Sequence, residues 1–179
     1  MIMHTCIAFL RGINVGGKNK IPMSELRAAL ERNDFKSVRT YIQSGNVVFE
    51  SSLNSCNEIA ASVRKTIQNA FGIDIPVLVK TKKQLKHILL DSPYDNEDLI
   101  STNKTYFVLL FELPNEGLLK IFNSLNFKNE QFQVSEGCVH LLCENGYGKA
   151  KLNNNLIESK LKVIATTRNY RTMQKIIDL

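Results

Sequence analysis

The residues best suited to chemistry lie together near the start of the chain: Gly12-Ile13-Asn14-Val15-Gly16-Gly17-Lys18-Asn19 spells GxxxxGK after an apolar run, Thr5 to Leu10. In a phosphate-binding P-loop this string wraps backbone N–H groups round a nucleotide, and a Ser or Thr after the lysine binds Mg²⁺ through its hydroxyl. Asn19 occupies that place here. A P-loop also starts its helix at about the lysine, so that the first amides meet the phosphates. Pro22 would then sit inside the helix, at a cost of about 3 kcal/mol, so the helix must start later. No apolar strand ends in a Walker B aspartate. These departures argue against nucleotide hydrolysis. What remains is a basic loop in which Gly12, Gly16 and Gly17 can turn amides toward an anion, with charge from Arg11, Lys18 and Lys20. A flexible connection with solvated lysines is the plain alternative.

Two further polar sets accompany the loop. Arg39, Tyr41 and Gln43 alternate along one strand face, and Ser44, Gly45 and Asn46 make the turn after it. Ser and Asn also stabilise turns locally. Thr167, Arg168, Asn169 and Arg171 stand at the expected start of a C-terminal helix, which the threonine or the asparagine there can cap, capping being the expected single role of Thr167. The expected ligand-binding set is therefore Arg11, Gly12, Asn14, Gly16, Gly17, Lys18, Tyr41, Gln43, Ser44, Asn46, Lys149, Thr167, Arg168 and Asn169.

Other chemistry has thin support. His4, His87 and His140 are scattered, and His140 shares a strand face with Cys138 and Leu142, which reads as a buried, satisfied histidine. Cys138 and Cys143 are an odd distance apart on one strand and so on opposite faces, which argues against a shared metal. Cys6 and Cys56 show no disulfide-scaffold spacing, so all the cysteines are read as reduced thiols. Asp95, Glu97 and Asp98 read as a solvated loop cluster. No metal, cofactor or catalytic residue is assigned. An RNA-recognition motif shares the expected strand order but stacks bases on aromatics of its third strand, where this chain has Ser44 and Asn46.

The elements that must position these residues follow from pattern. At 179 residues with 44% hydrophobic side chains, the chain can build one ordinary core or two small ones. Net charge is +6, and Gly146 to Lys175 holds seven cations against the single acid Glu158. Such a stretch suits an anionic partner or a solvated helix face. The apolar run Cys6 to Leu10 is cut by Arg11, so neither a signal peptide nor a membrane span is expected, and a cytoplasmic location is.

Strand 5–10, a helix from Pro22, strands 38–43 and 46–50, a helix at 56–71 and strand 75–80 give the order β-α-β-β-α-β. Ser55-x-x-Glu58 and Thr81-x-x-Gln84 read as capping boxes, the latter opening a bridging helix that Pro93 stops. The order then recurs: strand 105–112, helix 115–125, a hairpin of 131–134 with 138–143, a helix over Leu152 to Leu161, a short strand 163–165 and a closing helix in 166–179. The expected fold is α+β, two ferredoxin-like halves with largely antiparallel sheets: 1–81, a bridging segment 82–103, and 104–179 with an extra C-terminal helix. Strands 5–10 and 105–112 are apolar on both faces, so the other half, the extra helices or a second subunit must cover the second face.

RGINVGGKNKIPMSELRAAL, TYIQSGNVVF, GYGKAKLNNNLIESKL and ATTRNYRT together resemble the bacterial family catalogued as domain of unknown function 1697. The resemblance runs from about Ala8 onward in four separated motifs in the right order. It implies ferredoxin-like plaits and carries no established activity. Tyr170 stands where the family often has tryptophan, and His4-Thr5-Cys6 where an aromatic residue is usual, which bears on packing. The expected function is binding of an anionic ligand (nucleotide, nucleic-acid backbone or phosphorylated metabolite) at the loops. The alternatives are an enzyme on a small phosphorylated or carboxylated substrate there, or an assembly protein whose loops form a homodimer interface.

Overall fold

A computed structural model describes residues 3–53 and 55–179. The first half runs β1 (His4–Leu10), α1 (Met23–Glu31), β2 (Lys36–Tyr41), β3 (Asn46–Ser51), α2 (Cys56–Phe71) and β4 (Val77–Thr81). Each helix returns the chain to the end of the sheet where the preceding strand began, and β3 inserts between its predecessors. The sheet order is consequently β2-β3-β1-β4, antiparallel at every step.

After α3 (Lys82–Leu90) and α4 (Glu97–Ser101) the pattern repeats: β5 (Thr105–Leu110), α5 (Glu116–Asn123), β6 (Glu130–Ser135), β7 (Cys138–Cys143), a 3₁₀ turn (Tyr147–Lys149), α6 (Asn154–Leu161) and β8 (Ala165–Asn169). Its sheet order, β6-β7-β5-β8, is the same topology, and α7 (Tyr170–Asp178) closes the chain. The fold is a double ferredoxin-like α+β arrangement. The chain divides into two compact units, one running through Leu85 with Ile176–Leu179 added, the other Lys86–Lys175.

Strand alternation decides what each face buries. In the first unit Cys6, Ala8 and Leu10 meet Leu26, Leu30, Ile59, Val63 and Ile67 from α1 and α2. In the second, Val108, Leu110, Val139 and Leu141 meet Phe122, Ile157 and Leu161. The opposite faces are buried too: Ile7, Phe9, Phe107 and His140 are all 0% exposed.

Local differences from the sequence reading have identifiable causes. The last strand lies at Ala165–Asn169, not 163–165. Lys162 caps α6 in a left-handed conformation, φ 57°, and Ala165 N–H then donates to Glu158 Oε1 at 2.8 Å before pairing with Leu110. Thr167, Arg168 and Asn169 are therefore strand residues. Asn169, not Thr167, caps α7, accepting the Thr172 N–H at 2.8 Å. Glu97 and Asp98 lie not in a loop but in the first turn of α4, capped by Asn96, where acids suit the exposed amides. The Thr81–Gln84 box forms in both directions, Thr81 N–H to Gln84 Oε1 at 2.9 Å and Gln84 N–H to Thr81 Oγ1 at 3.2 Å. Ser55 is the N-cap of α2, but its side chain makes no cap bond.

Candidate functional site

The Arg11–Lys20 loop joins β1 to α1 and is held at both ends. Ile13 and Ile21 are each 1% exposed and anchor it to the core. Leu10 N–H donates to Gly45 O at 2.8 Å and Arg11 N–H to Pro76 O at 3.0 Å, tying the end of β1 to the β2–β3 turn and to the entry of β4. Asn14, at φ 53°, fastens the middle. Its amide donates to Ile21 O and to Gln43 O, both at 3.0 Å, and its Oδ1 accepts the Ile21 N–H at 2.9 Å. Asn19 Nδ2 closes the lobe on Gly12 O at 3.0 Å.

The glycine pair has a local explanation. Val15 and Lys18 form a β-bridge, with Lys18 N–H donating to Val15 O at 3.1 Å. Gly16 and Gly17 between them take φ 59° and 76°. Positive φ at both central residues is the signature of a type I′ turn, which is rich in glycine because other residues strain there. The GxxxxGK string thus folds as a miniature hairpin, and the helix begins only at Met23, behind the N-cap Pro22. A P-loop needs its helix at the lysine.

Beside this lobe opens a cavity of about 520 Å³ lined by Asn14, Gly17, Lys20, Ile21, Pro22 and Gln43. Lys18, Lys20 and Gln43 are exposed, and Arg11 and Tyr41 half-buried. Lys18 and Lys20 make no ion pair among the described residues. Both donors of the Asn14 amide are occupied. Asn46 is 0% exposed, its amide spent on Tyr41 O at 3.1 Å and Ser44 Oγ at 2.9 Å. Within the first unit the expected loop and turn residues are therefore neighbours, with Asn14 and Asn46 as struts and the cations outward. Lys20, already read in the sequence as part of the loop's charge, lines the cavity with them.

The remaining expected residues lie in the second unit. Thr167 Oγ1 donates to Asn154 Oδ1 at 3.1 Å. Its single proton thus committed, the Tyr147 hydroxyl donates to Thr167 Oγ1 at 2.9 Å while accepting the Asn154 N–H at 2.9 Å. Arg168 is 8% exposed and donates through Nη1 to Thr166 Oγ1 at 2.7 Å and Thr167 O at 2.8 Å. Asn169 is occupied as the α7 cap, and Lys149 is exposed on the 3₁₀ turn. Tyr147 and Asn154 were missed as members of this network; both sit in the GYGKAKLNNN motif.

Elsewhere, burial first and Cys56 second push the Cys6 thiol up to about 11. Burial and then Glu130 push Cys143 up to about 12, so neither is a ready nucleophile. His140 bonds Ser135 Oγ through Nε2 at 2.7 Å, but its Nδ1 has no partner among the described residues, so there the buried histidine is only half satisfied. Burial holds it below its ordinary value of 6.5, partly offset by Asp91. No cluster of three His, Cys, Asp or Glu side chains able to hold a metal occurs among the described residues. Nor is any helix among them long and apolar enough to cross a membrane.

No curated protein matches the chain. A solved structure of conserved bacterial protein SP0830 from Streptococcus pneumoniae is similar over 99% of this chain and 98% of that one, with a TM-score of 0.75 and 25% identity. The family described as protein of unknown function (DUF1697) matches residues 3–140, which include the glycine loop, its anchoring turn, all of β1 to β6 and the first half of β7. With a match over most of its length and a fold shared end to end with a bacterial relative, the chain belongs to the DUF1697 family.

Proposed function

We propose that the protein binds an anionic ligand carrying a phosphate group (a nucleotide, a nucleic-acid backbone or a phosphorylated metabolite) on the Arg11–Lys20 lobe. The observation that carries this reading is the combination of a cavity edged by Lys20 and Gln43 with a lobe held rigid through Asn14. Cations fixed on a pre-formed loop lose little entropy when an anion arrives. The cavity lining contains no histidine, cysteine or carboxylate. A group able to take up or release a proton near neutral pH is thereby lacking, which favours binding over turnover. Arg11, Gly12, Gly16, Gly17, Lys18, Lys20, Tyr41, Gln43 and Ser44 make up the proposed surface, with Asn14 and Asn46 supporting it. Lys149, Thr167, Arg168 and Asn169 form a second candidate cluster, in which only Lys149 is exposed.

The reading is tested by thermal shift against inorganic phosphate, nucleotides and oligonucleotides at low and high salt. A ligand at 100 times its Kd is expected to stabilise the native chain by about 2.7 kcal/mol. The Lys18→Ala/Lys20→Ala variant should abolish the shift without lowering the melting point of the unliganded chain. Should that variant keep the full shift, the lobe is not the site. Loss on Lys149→Ala alone would place binding in the second unit. An oligonucleotide should also show binding that falls steeply with salt.

A further inference from the structure

A strand at the end of a sheet leaves one row of backbone N–H and C=O groups unpaired, and proteins blunt such edges with cations, prolines, bulges or short strands. Of the sheet edges here, β2 carries Lys36 and Arg39, and its register on β3 shifts between them, with Ser37 at φ 52°. β4 carries Lys80 and follows Pro76. β8 has five residues, includes Arg168 and runs directly into α7. β6 has none of these devices: its six residues all stay in register with β7, and none is lysine, arginine or proline. Gln131 and Gln133 are exposed along it. A cavity of about 510 Å³ follows the same strand, its lining including Phe127, Phe132, Val134, Gln131 and Gln133.

We propose that β6 is a self-association edge. Two copies pair their β6 strands antiparallel about a two-fold axis, joining two four-stranded sheets into one. Such an axis sets the strand against its own sequence reversed. With Phe132 opposite Phe132 of the second copy, Gln131 meets Gln133 and Glu130 meets Val134, so amide faces amide and no like charges face each other. Glu130, the only charged residue of β6, is 8% exposed, and its Oε1 accepts the Lys151 N–H at 3.2 Å. In a chain of net charge +6, this edge lets two copies approach without cation opposing cation. The surface lies wholly in the second unit and is independent of the anion-binding reading.

The test is sedimentation equilibrium of the full chain up to about 500 µM, with amide hydrogen exchange at low and high concentration. A concentration-dependent dimer is expected, with exchange slowing across residues 130–135. Gln131→Lys/Gln133→Lys alters only exposed side chains, so the circular dichroism and melting point should be retained. It sets lysines against lysines across the axis, and the dimer dissociation constant should rise at least about tenfold. A wild-type chain that stays monomeric throughout overturns the proposal, whatever other strand the edge accepts. So does a dimer indifferent to the double substitution, or one whose protection falls outside 130–135.

Discussion

Gly45 and Gly16 both stand at positive φ, 76° and 59°, under different constraints. A Cβ on Gly45 would lie 2.8 Å from Leu10 Cβ and 3.0 Å from Ile13 Cδ1, whereas one on Gly16 would meet nothing within 4 Å. Gly45→Ala thus adds overpacking to left-handed strain and is expected to lower stability by about 2–4 kcal/mol. Gly16→Ala carries the conformational term alone, about 1 kcal/mol. Urea denaturation of the two variants should separate them, and equal losses would show that the turn at Gly45 can relax away from β1. The need for glycine in the loop was legible from GxxxxGK. That Gly45 is limited by packing was not, because its neighbours Leu10 and Ile13 lie far back in the sequence. Asn14 illustrates the same point: its residue type placed it in the expected ligand-binding set, and only the fold shows that Ile21 and Gln43 use both its donors.

At the level of elements, both capping boxes were written in the sequence and only one closes. Gln84→Ala removes the reciprocal bond to Thr81 and is expected to destabilise by about 1 kcal/mol. Ser55→Ala should change stability by less than about 0.5 kcal/mol, since no side-chain cap bond is lost. Denaturant midpoints of the two variants check the contrast, and a larger effect at Ser55 would overturn it. Helix positions were readable because a cap and an apolar stripe are local signals. Placing the last strand required its partner: Val163 to Ala165 is the more apolar run, but register against β5 selects Ala165–Asn169. That shift moves Thr167 and Arg168 from a helix start into a strand, where their polar atoms are consumed by neighbours.

For the whole molecule, the buried face around His140 makes stability depend on pH. Burial lowers the folded-state value of this histidine from 6.5, so the unfolded chain takes up its proton first as pH falls. Stability from this group should be complete above about pH 6.5 and decline through the lower folded value. Melting temperatures from pH 8 to pH 5 are expected to show this decline, with a flatter profile for His140→Leu. Parallel profiles for the two proteins would assign the acid sensitivity to other groups. The order of elements, the duplication of the plait and the departure from a P-loop were determined by the sequence alone, because periodicity, caps and proline act within a few residues. Only the tertiary structure decided which polar side chains remain available to a partner. Asn14 bonds across 29 residues to Gln43, Asn46 is sealed beneath its own turn, and Lys18 and Lys20 stay outside. Residue type specifies what a side chain can bond, but the approach of distant strands determines whether that capacity is already satisfied.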